Sequence, residues 1–384
     1  MTITKFSFPT TIHFGAGARK LLAAHLRSMN LKRPLIVTDK GLAALPLIAE
    51  ISADLSAAGL VPSTYGGIWG NPIGSQVMNG AAAYKVHHAD CVVGIGGGAA
   101  LDVAKVVGLM ATHPGDVMEY VWDHPKVRAI DQSLSHFVAL PTTSGTGSEV
   151  GRSSVISEEQ SHVKRVIFSP LILAKVVFAD PELTIGLPPH VTAATGMDAL
   201  THNVESYLSP AYHPLCDGIA LEGTRIAARA LLIAVKEPGN LQARADMMMS
   251  SMMGAIAFQK DLGAVHSCAH ALGTVCDMHH GLANALMIDT VMAWNIEAVP
   301  AKFDDLAHAV GIARGGATFV PWLKNLKQQI GIAANLSTAG VKKEQLPRLV
   351  EIATADICHQ TNPRPCVAAD FERLFAQALY APVD

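Results

Sequence analysis

The sequence predicts an α/β N-terminal half built on a parallel sheet, followed by an all-helical C-terminal half. Three observations carry this expectation. Strand, turn and helix signals alternate along the first half, the pattern of βαβ units. The strand signals are continuous apolar runs, as strands buried on both faces require. After Leu187-Pro188-Pro189 the chain becomes Ala-, Leu- and Met-rich with helical spacing and few β-branched runs. The boundary is placed at residue 185, giving units 1–184 and 185–384. No tandem repeat or low-complexity linker separates them, so they are expected to pack directly and leave a cleft, where ligands tend to sit.

Each element has its own signal. Pro34-Leu35-Ile36-Val37-Thr38 reads as a buried strand that stops at Asp39, and a helix is expected from about Ile48 to Ala58. A short strand near Ser63-Thr64-Tyr65 is expected to end in Gly66-Gly67. A helix surrounds Ala81–His88. Cys91-Val92-Val93-Gly94-Ile95 is the next strand, broken by Gly96-Gly97-Gly98, with a helix starting near Ala100. His136-Phe137-Val138-Ala139-Leu140 is a further strand ending at Pro141. In the second half, Arg225 to Val235 and Asp246 to Gln259 carry helical spacing.

Composition excludes several classes. Half of the 384 residues are hydrophobic and 16% are charged, which is incompatible with a disordered chain. With 29 Lys+Arg against 32 Asp+Glu there is no basic footprint for nucleic acid and no polybasic block for an anionic membrane. Cys91, Cys216, Cys268, Cys276, Cys358 and Cys366 form no C-x-x-C pair, the pattern of reduced thiols in a cytoplasmic protein. Met1–Lys5 shows no basic region followed by an apolar run, so no signal peptide is expected. No apolar segment is long enough to span a bilayer. The chain holds 17 histidines, so it is rich in groups that bind metal or titrate near neutrality.

Two glycine-rich turns point to an anionic ligand. Gly96, Gly97 and Gly98 lie between a strand and a helix, where bare N–H groups can approach a phosphate. Gly94-Ile95-Gly96-Gly97-Gly98-Ala99 also fits G-x-G-x-x-G/A, with Asp116 twenty residues past Gly96. That fingerprint belongs to a first βαβ unit, and this turn follows earlier strands. Asp39, at the carboxyl end of an early strand, is therefore the better-placed ribose acid. The second turn, Pro141 to Val150, holds five hydroxyls in seven positions: Thr142, Thr143, Ser144, Thr146 and Ser148. These can line a phosphate or ribose with neutral donors.

The helical half carries a polar constellation. Asp198 and His202 are spaced i, i+4, about 40° apart and about 6 Å along a helix axis. His266 and His270 repeat the spacing, and His279-His280-Gly281 follows an expected helix break near Asp277. Each pair alone also fits a helix-surface pair or a hydrogen-bonded core histidine. Embedded in otherwise apolar helices, three imidazoles and a carboxylate suit a divalent metal such as Fe²⁺ or Zn²⁺. Spacing does not by itself bring residues near 200 to those near 270.

At these residues the chain resembles the iron-containing (group III) alcohol dehydrogenases. The resemblance runs nearly end to end, from Phe14-Gly15-Ala16-Gly17 to Asn362-Pro363-Arg364. Its most specific parts are Gly96–Gly98 with Asp102 and Lys105, the Pro141–Val150 segment, Ala194–His202 and His266–Gly281. It implies a dehydroquinate synthase-like fold: an α/β dinucleotide-binding domain, an all-helical second domain, and a metal in the cleft beside the nicotinamide. It implies Asp198, His202, His266 and His280 as metal ligands and His270 as a non-ligand histidine near the nicotinamide. By the same resemblance Asp39 contacts the adenine ribose. Asn71, Gly96, Gly97, Gly98, Ala99, Asp102, Thr142, Thr143, Thr146, Ser148 and Lys164 fall on cofactor-side positions, and Thr184 and Leu187 lie toward the nicotinamide end.

Two positions depart from the family pattern. Ala99 replaces the usual serine after the glycines and removes one donor, a loss of about 0.5–1.5 kcal/mol for one neutral hydrogen bond. His279 replaces the usual proline before the last ligand and could compete for metal or relay a proton. Adjacent residues on an extended turn point apart, so His280 is taken as the ligand.

The expectation is a metal-dependent, cytoplasmic, homodimeric dehydrogenase that passes hydride between NAD(H) and a small primary alcohol or aldehyde. The metal (Fe²⁺, with Zn²⁺ as the alternative) would act as a Lewis acid. His270 would exchange the alcohol proton, and Phe258 is a candidate for the substrate end. The alternatives are a dehydrogenase of a glycerol-like diol or hydroxy acid, a dehydroquinate synthase-like lyase, and a non-catalytic NAD- or metal-binding sensor. The lyase needs basic residues for carboxylate and phosphate, and the helical half offers few near the ligands.

Overall fold

The computed structural model describes residue 8 and residues 10–380; the absence of a leader read from Met1–Lys5 concerns residues outside that range. The chain divides into two compact units. One takes in residues 10–143 with Ser148–Thr184. The other takes in residues 185–380 with Ser144–Gly147.

The first unit is built on a six-stranded sheet. Its strands are β1 (Thr11–Phe14), β2 (Pro34–Asp39), β3 (Ser63–Ile68), β4 (Cys91–Gly96), β5 (His136–Pro141) and β8 (Val176–Ala179). They lie in the order β1-β8-β5-β4-β2-β3, all parallel. The intervening β6 (Ser153–Ser157) and β7 (Lys164–Phe168) form a separate antiparallel ribbon, which, like β1 and β8, is not among the strands expected from the sequence. The inner strands are apolar because helices cover both faces: all six residues of β4 are buried, as are the first five of β2.

Two boundaries differ from expectation. β3 does not end at Gly66-Gly67 but continues to Ile68, because it stays paired to β2 across an irregularity between Val37 and Asp39. The helix after β4 begins at Gly98 rather than near Ala100 and runs to Thr112. Elsewhere boundaries move by a few residues: the helix expected from Ile48 starts at Pro46, where proline is suited to the first turn, and the one around Ala81 starts at Gly74.

The strand order fixes where a ligand can sit. From β2 the chain passes to β3 on one side; from β4 it passes to β5 on the other. β2 and β4 therefore flank the topological switch point, and the crevice outside their carboxyl ends is the ligand position of such sheets. Asp39 ends β2 and Gly96 ends β4.

The second unit is helical throughout. Its inner helix, Pro189–Leu208, buries every residue from Thr192 onward. Around it lie Pro214–Lys236, Leu241–Ala257, Ala264–Cys276 and His280–Asn295. Small side chains allow this: Ala193, Ala199, Ala220, Ala227, Ala230, Ala269 and Ala271 are all buried. Asn240 caps one helix by accepting from the Ala243 N–H at 3.1 Å. Asp277, at φ 48°, ends another in a left-handed turn. All six cysteines are free. No described helix is long and apolar enough to cross a membrane.

Candidate metal centre and cofactor crevice

Three helices of the second unit each present a pair of polar side chains at i, i+4: Asp198 and His202, His266 and His270, His280 and Asn284. The spacing puts both members of a pair on one face, and the three faces meet. Asp198 Oδ1 lies 3.8 Å from His202 Nε2, 3.9 Å from His266 Nε2 and 3.5 Å from His280 Nε2. One ligand atom from each of the four falls within 4.8 Å of all the others. Close approach of the helices depends on Gly281: a Cβ there would stand 2.2 Å from the Ala194 carbonyl oxygen.

Surrounding groups fix each donor. Glu205, one turn beyond His202, accepts from His266 Nδ1 at 2.6 Å and from the Val265 N–H at 2.7 Å. Burial pushes the Glu205 carboxyl up to about 7, although the N–H groups of Val265, Gly263 and His266 oppose the shift. Burial, with His202 beside it, also holds His266 well below the ordinary imidazole range. Burial thus disfavours the charged ring, and with Nδ1 engaged by Glu205 it is Nε2 that faces Asp198, the arrangement a metal ligand requires. Asn284 Nδ2 donates to Asp198 Oδ1 at 2.7 Å and lies 3.3 Å from both His266 Nε2 and His280 Nε2. Asn284 Oδ1, buried beside the cluster, has no hydrogen-bond partner. Three imidazoles and a carboxylate on a buried floor fit a divalent transition metal.

His270 stands beside the cluster, its ring 5.4 Å from that of His280. Its Nδ1 bonds to Asp356 Oδ2 at 2.7 Å. Asp356 also accepts from Ser267 Oγ and from the Cys358 N–H, both at 2.8 Å. Burial opposes ionisation of Asp356, but the adjacent His270 and these donors hold its carboxyl well below the usual carboxylate range. Phe258 packs its ring 5.3 Å from His202. His279, exposed, precedes the first residue of the next helix and is not among the four converging groups.

Sequence reasoning missed Glu205, Asn284 and Asp356. The first two had a usable signal, lying at i+3 from His202 and i+4 from His280. Asp356 had none, being 86 residues from His270. A further pair outside the site also escaped it: His25 and His136 bond through their Nε2 atoms at 3.0 Å.

In the first unit, Asp39 Oδ1 accepts from the Leu42 N–H at 2.9 Å, while Oδ2 lies on the Gly96 side. Gly96 has φ 152°, and a Cβ there would meet Ala100 Cβ at 2.5 Å, so only glycine makes this turn. Thr142 is buried, and its N–H bonds to the Gly96 carbonyl at 3.0 Å; Thr143 lies against Gly97. Ala99 falls in the first turn of the Gly98–Thr112 helix. Asn71 is exposed in the turn after β3, and Lys164 opens β7. The Thr184 hydroxyl donates to the Pro181 carbonyl at 2.8 Å. Thr146 and Leu187 belong to the second unit. Asp116 caps a surface turn through the Met118 N–H and takes no part in the crevice.

The Pro141–Val150 segment is largely buried rather than a solvated loop. Asp102 accepts from Ser148 Oγ at 2.6 Å and from the Val155 N–H at 3.0 Å; buried Lys105 donates to Ser148 Oγ at 2.7 Å and to the Ser153 carbonyl at 2.6 Å. Asp102, expected on the cofactor side, thus has its carboxylate engaged in holding this segment. Glu149 is buried beside them, and burial pushes its carboxyl up to about 7, against the pull of Lys105. A folded-state value above the ordinary 4.5 means its contribution is fully present below about pH 4.5 and is lost as pH rises through 7. Glu149→Gln is therefore expected to raise unfolding stability at pH 8 by about 1–3 kcal/mol and to leave pH 5 nearly unchanged. Denaturant titrations at the two pH values check this; an equal effect at both contradicts it.

Comparison with known proteins agrees with this geometry. Residues 9–181 match the family model "Iron-containing alcohol dehydrogenase", and residues 192–379 match "Fe-containing alcohol dehydrogenase family, C-terminal". The chain is 36% identical over 379 residues to the 4-hydroxybutyrate dehydrogenase of Cupriavidus necator, covering 96% of this chain and 98% of the relative. It superposes on a crystal structure of a 1,3-propanediol oxidoreductase with a TM-score of 0.93 and 35% identity, covering 98% and 100% of the two chains. It superposes on the sulfoacetaldehyde reductase of Bifidobacterium kashiwanohense in complex with NAD+ with a TM-score of 0.90 and 26% identity, covering both chains fully.

Proposed function

This chain belongs to the iron-containing alcohol dehydrogenase family, and from that premise we propose that it moves a hydride between NAD(H) and a small primary alcohol or aldehyde at the Asp198–His202–His266–His280 cluster. The convergence of these four ligand atoms within 4.8 Å carries the reading. They would hold the metal, Fe²⁺ or Zn²⁺, with Glu205 and Asn284 orienting them. A divalent ion bound there supplies Lewis acidity toward an alcohol or carbonyl oxygen.

The remaining chemistry belongs to the chain. Asp356 holds the proton of His270 on Nδ1 and leaves Nε2 to exchange the alcohol proton. Gly96–Gly98 offer N–H groups and space to a pyrophosphate. Thr142, Thr143, Thr146, Ser148, Asn71 and Lys164 serve the cofactor, with Thr184 and Leu187 at its nicotinamide end, and Phe258 borders the substrate. Asp39 accepts the ribose hydroxyls and repels a 2′-phosphate. The relatives act on hydroxy acids and diols as well as simple alcohols by name, so a diol or hydroxy acid is the second substrate reading. The protein is proposed to work in the cytoplasm as a homodimer.

Metal-stripped protein refilled with Fe²⁺ or Zn²⁺ should oxidise NADH in the presence of a short aldehyde, and stripped protein should not. No turnover with any aldehyde, despite bound metal and NAD, would instead favour a sensor. Asp39→Gly is expected to raise the NADP/NAD ratio of kcat/KM by at least about tenfold, as one charge repulsion is removed. Asp39→Gly also loses a helix cap, about 1 kcal/mol; Asp39→Asn removes the charge alone. An unchanged ratio in both contradicts the assignment.

A further inference from the structure

A second feature of the helical unit lies apart from the four converging ligands. Arg244, on the Leu241–Ala257 helix, is 2% exposed. A guanidinium removed from water normally has a carboxylate beside it. Arg244 forms no ion pair among the described residues. Its Nε donates to the Pro238 carbonyl at 3.0 Å and its Nη1 to Thr192 Oγ1 at 2.8 Å. Its Nη2 has no partner. Burial lowers its proton affinity, and no acid opposes the shift.

Arg244 lines a small cavity, with room for about one water-sized occupant, together with Ser144, Thr192, Thr195 and Leu187. The polar lining carries no carboxylate and several groups with a proton to donate. Ser144 Oγ is buried without a partner. Thr192 Oγ1 accepts from Arg244, which leaves its own proton to give. The Thr195 hydroxyl is the exception, since it donates to the Val191 carbonyl at 2.9 Å. One uncompensated positive charge and three available donors, with no acid present, define a site for a negative ligand.

We propose that Arg244, Ser144 and Thr192 form an internal binding site for a small monovalent inorganic anion of the size of chloride. The anion supplies the missing counter-charge and accepts from Arg244 Nη2 and the two hydroxyls. Ser144 belongs to the Ser144–Gly147 stretch of the helical unit, so occupancy also ties that stretch to the Leu241–Ala257 helix.

Bromide tests the site directly. Crystals of the full, metal-loaded chain soaked in bromide should show an anomalous peak within about 3.5 Å of Arg244 Nη2 and Ser144 Oγ. Bromide found elsewhere but not in this cavity overturns the proposal. In solution, melting temperature should rise and saturate with chloride when gluconate holds ionic strength constant. Arg244→Met should abolish this rise. Ser144→Ala, which leaves the guanidinium in place, should require about tenfold more chloride. A chloride response identical to wild type in Ser144→Ala overturns the site even if Arg244→Met fails to fold.

Discussion

Asp198→Ala should leave the protein with less than about a tenth of its bound metal and lower turnover by roughly 10³-fold or more, since Lewis-acid stabilisation is worth several kcal/mol. Asp198 is the only carboxylate among the four converging groups, and its Oδ1 is the atom that all three imidazoles face. Its removal takes away the only negative charge among those four groups that compensates a divalent ion. It also leaves Asn284 Nδ2 without its shortest bond among these atoms. Metal-to-protein ratios, read with circular dichroism to confirm folding, decide the matter. Full occupancy in a folded Asp198→Ala protein would falsify the ligand assignment. Glu205→Gln is the milder counterpart: it keeps the shape but loses charge behind His266, and metal affinity should fall about 10–100-fold.

Asp356→Asn is the second large effect. The carboxylate accepts from His270 Nδ1 and is itself fixed by Ser267 and the Cys358 N–H. An amide of the same shape can present its NH₂ to Nδ1 and favour the other tautomer, and it cannot stabilise a protonated ring. We expect kcat to fall by about 10²–10⁴-fold, the range for misplaced acid–base catalysis, with metal content and the KM for NADH unchanged. Asp356→Glu restores the charge and should recover part of the loss. A purely structural role predicts no such recovery, and normal kcat in Asp356→Asn ends the relay reading.

The local half of this picture was legible in the sequence. Apolar runs placed β2, β4 and β5, since parallel strands covered by helices on both faces are mostly apolar, and the i, i+4 pairs marked helix faces that recur in the site. What stayed hidden depends on chain segments far apart in sequence. Asp356 meets His270 through tertiary packing, with no spacing to betray it. The β6–β7 ribbon is partly exposed and mixes polar with apolar residues, so it lacks the continuous run that marks β2, β4 and β5, and β1 and β8 are only four residues long. Gly66-Gly67 read as a strand end because glycine more often interrupts than continues a strand. Asp102 illustrates a different limit: its oxygens serve Ser148 and Val155, 46 and 53 residues away, and no spacing marks either partner.

One consequence of the Pro189–Leu208 helix extends to how the protein tolerates change. Asp198, His202 and Glu205 ride on a single rod enclosed on every side. When the surrounding helices breathe or a distant substitution shifts them, these three groups move as one body, and the spacing among them is conserved. Errors in the site must therefore enter through the other two helices, as a change of one distance rather than many. Amide exchange along residues 192–208 should accordingly be among the slowest in the chain, matching global unfolding.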